Sequence, residues 1–160
     1  MTQLIISEKP NAASKLAEAL GDFKKVGKRA YYFEGKIGSQ RAYIVPAVGH
    51  LFGLVESRKR QGYPTLEVKW GPTYEKSAKF SKPYFNNFKK LAKEADDIII
   101  ATDFDREGSV IGYNILKFIL KKKDAKRMKF STLTAPELRE AYKTASPHVD
   151  LSQANAGLAR

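Results

Sequence analysis

The chain has 160 residues, enough for one domain with its own core, and carries a formal net charge of +12 at pH 7. It has no cysteine, which excludes disulfides and thiolate metal sites and fits a reducing cytoplasm; no apolar run is long enough to span a membrane, and the start lacks the basic leader of a signal peptide. The excess of Lys and Arg points to a polyanionic partner, nucleic acid before a merely lysine-rich solvated surface.

Taken in order, "QLIIS" (3–7) reads as a short buried strand. Pro10 suits a first helical position, and the run to Leu20 reads as a helix stopped at Gly21. "RAYYFEG" and "QRAYIVPAVG", separated by "KIGS", predict a β-hairpin. Residues 56–83 contain Gly62, Pro64, Gly71, Pro72 and Pro83 without a sustained period, and read as a long functional loop. Its basic residues, Arg58, Lys59 and Arg60 among them, are interleaved with Tyr63, Trp70, Tyr74 and Phe80. That mixture suits single-stranded nucleic acid, although Trp70 reads better as an anchor of the loop on the domain.

"PYFNNFKKLAKEA" places Phe85, Phe88, Ala92 and Ala95 on one helical face. "DDIIIATD" is an apolar strand of the type buried on both faces of a parallel sheet. "EGSVIGYNILKFILKKK" turns helical, "RMKFST" reads as a strand, and "APELREAYKTA" as a helix whose N-cap Thr134 forms a capping box with Glu137. This order predicts an α/β fold, a mostly parallel sheet flanked by helices, whose ligands sit beyond the carboxyl ends of the strands.

If the first strand and "DIIIAT" are neighbours, Glu8, Asp103, Asp105 and Glu107 converge on one sheet edge. Clustered carboxylates repel one another, and a divalent cation relieves that repulsion. Oxygen donors without His or Cys favour Mg²⁺ or Mn²⁺ over zinc. Magnesium keeps one or two protein carboxylates, which leaves Glu8 for general acid or base work and Lys9 for a phosphate. A solvated turn is the plain alternative for a lone Asp-x-Asp. An EF-hand is disfavoured because Asn114 occupies the position of its bidentate Glu, and no glycine-rich stretch precedes a Lys-Ser/Thr pair for a phosphate loop.

The segments "LIISEKPNAASKLAEAL", "VGHLFGLVE" and "ATDFDREGSVIGYNIL", in that order and spacing, resemble the Toprim domain of type IA DNA topoisomerases, in particular the archaeal topoisomerase I and topoisomerase III branch. The resemblance implies a Rossmann-like Toprim fold over residues 1–148, with about four mostly parallel strands, an inserted hairpin and an inserted basic loop. Residues 149–160 would begin the following domain. It further implies that Asp103, Asp105 and Glu107 bind Mg²⁺ with Glu8 beside them, that Glu8 is the acid/base for the leaving 3′-oxygen, and that Lys9 contacts the scissile phosphate. Arg106 is expected at a phosphate or in positioning the acids, with a surface ion pair as its plain alternative, and His50 at DNA or in a structural role. Ser109 stands where relatives commonly carry a further glutamate. None of the eight tyrosines lies in a context resembling the family's catalytic tyrosine motif. The chain therefore reads as the metal-binding half of a split active site in a cytoplasmic, nucleoid-associated enzyme. It is expected to bind DNA, preferably single-stranded, and to need neither ATP nor a membrane. Alone it should not relax DNA. A stand-alone Toprim nuclease and a non-catalytic nucleic-acid-binding module are the alternatives.

Overall fold

The computed structural model describes residues 1–56, 68–75, 78–150 and 152. Six strands form one sheet: β1 (Thr2–Ser7), β2 (Asp22–Val26), β3 (Tyr32–Ile37), β4 (Gln40–Pro46), β7 (Asp97–Ala101) and β8 (Lys126–Arg127), in the spatial order β2-β3-β4-β1-β7-β8. β4, β1, β7 and β8 are parallel, and the β2–β3 and β3–β4 pairs are antiparallel. β5 (Phe52–Glu56) and β6 (Val68–Pro72) form a separate antiparallel pair. The helices are α1 (Pro10–Leu20), α2 (Lys82–Leu91), α3 (Arg106–Asn114) and α4 (Ala135–Lys143), and a π-helical turn, Ile115–Ile119, continues α3.

The alternation of side chains along a strand explains why the central runs are apolar throughout. Leu4, Ile6, Tyr43, Val45, Ile98 and Ile100 pack on one face with Phe88, Leu91, Ile111, Ile115 and Leu116. Ile5, Ile44, Ile99 and Ala101 pack on the other with Ala13, Leu16, Ala17, Leu138 and Ala141. Each fully buried Leu or Ile contributes about 1.5–3 kcal/mol. The parallel sheet, the 32–46 hairpin and the helices agree with the reading of the sequence. As expected, α2 turns Phe88 into the core and packs Phe85, with Ala92 and Ala95 beyond its end, against it.

Four details differ. The strand read in "RMKFST" is a strand only at Lys126–Arg127, where it meets Ile99 and Ile100 of β7. β2 was not foreseen, because Lys24 and Lys25 are exposed and the strand exists through its pairing with β3. The stretch read as one long loop contains β6, which exists through its partner β5 despite Gly71 and Pro72. Thr134 does precede α4, but Glu137 does not close a capping box on it. Its carboxylate instead accepts from the Ser131 and Thr132 N–H groups and the Thr132 hydroxyl, so it ties down the entering loop. Arg58, Lys59 and Arg60, and almost all of the expected start of a following domain at 149–160, lie outside the described residues.

Candidate active site at the carboxyl edge of the parallel strands

β1 and β7 are paired in parallel, with Ser7 opposite Ala101, so both chains leave the sheet side by side. Glu8 and the acidic loop therefore emerge at the same edge, as the sequence suggested for neighbouring strands. Glu8 is buried. Its Oε2 accepts from the Asp103 N–H (3.3 Å), and its Oε1 lies 3.1 Å from Lys9 Nζ. Lys9 Nζ also reaches Asp103 Oδ2 at 3.4 Å, so one exposed ammonium bridges the two carboxylates. The Glu8 hydrogen bond, and after it the charges of Glu8 and Asp103, raise the pKa of Lys9 and keep it a cation.

Asp105 is the N-cap of α3: extended backbone at that residue lets its Oδ1 accept from the Gly108 N–H at 2.7 Å. Gly108 permits the close approach of helix and site. A Cβ there would run into the Asp103 carbonyl and stand 2.9 Å from Glu8 Oε2. The Thr102 hydroxyl donates to the Gly108 carbonyl (2.7 Å), closing the turn between β7 and α3. Ser109 is buried in the same first turn.

After β4 the chain turns through Val48 (φ 50°) and Gly49 (φ 90°). A β-branched residue in the left-handed region is strained by about 1–3 kcal/mol. That turn brings His50 to Glu107, with Nε2 and Oε1 3.3 Å apart, while Thr73 donates to the His50 carbonyl. Arg106 is exposed and has no ion-pair partner among the described residues, which leaves its surface ion-pair reading without a partner there. Trp70 stacks on Phe118 (ring centroids 5.8 Å, 17° between planes), as expected of an anchor.

The acids thus share an edge but are turned to different partners: Glu8 and Asp103 to Lys9, Asp105 to its own helix, Glu107 to His50. Among the described residues no three acids or histidines are gathered into a metal-sized cluster. A cleft of about 680 Å³, lined by Lys24, Glu34 and Lys36 of the β2–β3 pair, lies away from these residues.

One residue at this edge escaped the sequence reading. Arg127 of β8 is 2 % exposed, and its guanidinium lies under the acidic loop. Nη1 donates to the carbonyls of Thr102 (2.8 Å) and Met128 (2.9 Å), with a longer contact to Ile100 (3.3 Å), and Nη2 donates to the Asp103 carbonyl (2.9 Å). Burial pushes the guanidinium down to about 10, against the pull of Asp105, Asp103 and Glu8, so it is a cation at neutral pH. In a chain with 29 Lys and Arg, a basic residue beside a predicted strand carries no special signal. Phe104, between the two aspartates, is exposed, with Arg127 and Lys129 over its ring.

The Toprim domain family matches residues 3–133 of the chain. DNA topoisomerase 1 of Pyrococcus horikoshii is 40% identical over 98% of the chain, which spans 24% of that protein. DNA topoisomerase 1 of Methanocaldococcus jannaschii is also 40% identical, over 100% of the chain and 21% of the relative. The chain thus spans about a quarter of the length of the curated relatives it matches. Among solved structures, full-length topoisomerase I from Thermotoga maritima shares the fold, with a TM-score of 0.68 at 24% identity over 98% of this chain and 23% of that one.

Proposed function

The chain belongs to the Toprim domain family, and from that premise we propose that it is the cation-binding half of the active site of a type IA DNA topoisomerase. The observation that carries the reading is the pairing of Glu8 with Asp103 across two neighbouring strands, bridged by Lys9. A carboxylate, a lysine and an Asp-x-Asp-x-Glu loop at the carboxyl edge of a parallel sheet are the groups that phosphodiester transfer needs.

The donor set fits a hard cation: it consists of oxygen, and the partners now holding Asp103 and Glu107, Lys9 and His50, are exposed side chains free to move aside. Asp103, Asp105 and Glu107 would hold Mg²⁺, or Mn²⁺ in its place, with Glu8 alongside. The cation would supply charge stabilisation at the phosphate. Glu8 moves a proton to and from the leaving 3′-oxygen through its carboxylate. Lys9, through Nζ, and Arg106, at the N-terminus of α3, bind phosphate oxygens. His50, Arg58, Lys59 and Arg60 extend the contact along DNA, preferably a single strand.

In this reading the whole enzyme, in the cytoplasm at the nucleoid, cuts one strand through a tyrosine joined to the 5′-phosphate, passes a strand and reseals it without ATP. The tyrosine belongs to another part of a longer protein. Tyr43, Tyr84 and Tyr142 are committed through their hydroxyls to Glu94, Arg29 and Gln3, and burial raises the pKa of Tyr43 and Tyr84.

The test incubates the chain with negatively supercoiled plasmid, with and without Mg²⁺, beside a gel shift on a single-stranded oligonucleotide. Oligonucleotide binding with unchanged plasmid topology is expected. Nicked or linear plasmid that appears only with Mg²⁺ would replace this reading with a nuclease, and failure to bind would remove DNA as the partner of this domain.

A further inference from the structure

We infer that Arg127 is a positioning residue: its guanidinium fixes the Thr102–Asp103 backbone and so the conformation in which Asp103 and Asp105 meet a divalent cation, an inference that rests on the cation reading above. The β7–β8 ladder is short. It ends where Ile100 faces Arg127, with Met128 N–H donating to the Ile100 carbonyl. Beyond that point the carbonyls of Thr102 and Asp103 are held by the Arg127 side chain rather than by a strand. The planar fork satisfies both at once, along with Met128, which a lysine's single nitrogen cannot do with the same geometry.

A buried cation that bonds only to carbonyls is expensive to retain unless negative charge stands nearby. The charges that compensate it belong first to Asp105, Asp103 and Glu8, the acids of the site itself, and after them to Asp150. Backbone and charge are therefore tied together at one group: the loop that carries the acids is bonded to the cation that their charge keeps buried.

The experiment compares the unaltered chain with Arg127→Lys, which keeps the charge and loses the fork. Mn²⁺ binding is followed by electron paramagnetic resonance, thermal unfolding establishes that the variant folds, and amide hydrogen exchange reports on residues 102–108. The expected result is a folded variant with about tenfold weaker Mn²⁺ binding and faster exchange at Asp103–Gly108 than in the unaltered chain. Unchanged Mn²⁺ affinity in a folded variant overturns the positioning role, whether or not exchange accelerates. Should Arg127→Lys fail to fold, the unaltered chain decides through its arginine side-chain resonances. Arg127 Nη protons should exchange far more slowly than those of exposed Arg41 and shift on Mg²⁺ addition; exchange as fast as at Arg41, or no shift, overturns the inference. Absence of Mn²⁺ binding by the unaltered chain sinks the cation reading itself, a separate outcome from an Arg127→Lys variant that binds as well as its parent.

Discussion

Asp105 has two roles that substitution can separate. Its Oδ1 caps α3 through the Gly108 N–H, and its charge belongs to the acidic edge. Asparagine caps as well as aspartate but cannot carry the charge, whereas alanine loses both. Asp105→Asn should therefore lower the midpoint of thermal unfolding through the charge lost beside Arg127, and Asp105→Ala, which loses the cap as well, should cost about 1 kcal/mol more and lower it by about a further 2–4 °C. Both should weaken Mn²⁺ binding. Full affinity in Asp105→Asn would show that the residue is a cap and nothing more. At this scale the sequence was informative where chemistry is local. Asp103, Asp105 and Glu107 could be picked out because three acids ending an isoleucine run need an explanation. Arg127 could not, because its role depends on which carbonyls it meets, and those of Thr102 and Asp103 arrive from the loop after β7, some 25 residues earlier. The strained turn at Val48 was equally silent, since valine is not a residue that announces a left-handed backbone.

Among the elements, adjacency decides the site. β1 and β7 are neighbours although some 90 residues separate them, and α3 lies close on β7 because Gly112 has no side chain to collide with Ile100. Elements with their own hydrophobic pattern, β1, α1, the hairpin, β7 and the helix faces, were legible. β2 and β6 were not, and the strand read in "RMKFST" is confined to Lys126–Arg127. β2 and β6 are strands only because a partner offers its edge, which no local pattern encodes. The entry to α4 illustrates the limit and offers a test. The spacing of Thr134 and Glu137 suggested a capping box, yet the carboxylate closes the loop before the helix. The Thr132 hydroxyl, then the Ser131 and Thr132 N–H groups, hold the Glu137 pKa below its ordinary value. A depressed carboxylate contributes stability that is present above its unfolded pKa and lost as pH falls through the folded one. The thermal stability of the parent should thus fall on acidification below about pH 4.3, the ordinary glutamate value. Glu137→Gln should be less stable at neutral pH and should lose less on acidification; parallel curves for the two proteins would refute the contribution.

Over the whole molecule, a formal charge of +12 surrounds a site that is itself acidic. DNA would be drawn to the basic surface, and the phosphate would meet the acids only where Lys9, and in the functional reading a divalent cation, offset their repulsion. Binding driven by phosphate neutralisation must be steeply salt-dependent. For single strands the slope of log K against log salt is about −0.7 for each phosphate neutralised. With four to six phosphates engaged, the slope is about −3 to −4, and affinity should fall on the order of a hundredfold between 50 and 200 mM salt. Fluorescence anisotropy of a labelled single-stranded oligonucleotide across that range measures it. Replacing Arg58, Lys59 and Arg60 with glutamine should reduce the magnitude of the slope by about 2 if all three meet phosphates. An unchanged slope would remove the 58–60 segment from the interface and leave the lysines of α2 and of the 121–129 stretch as the surface to test next. A slope near zero in the parent would mean that the excess charge serves solubility, and the case for DNA would then rest on family membership alone.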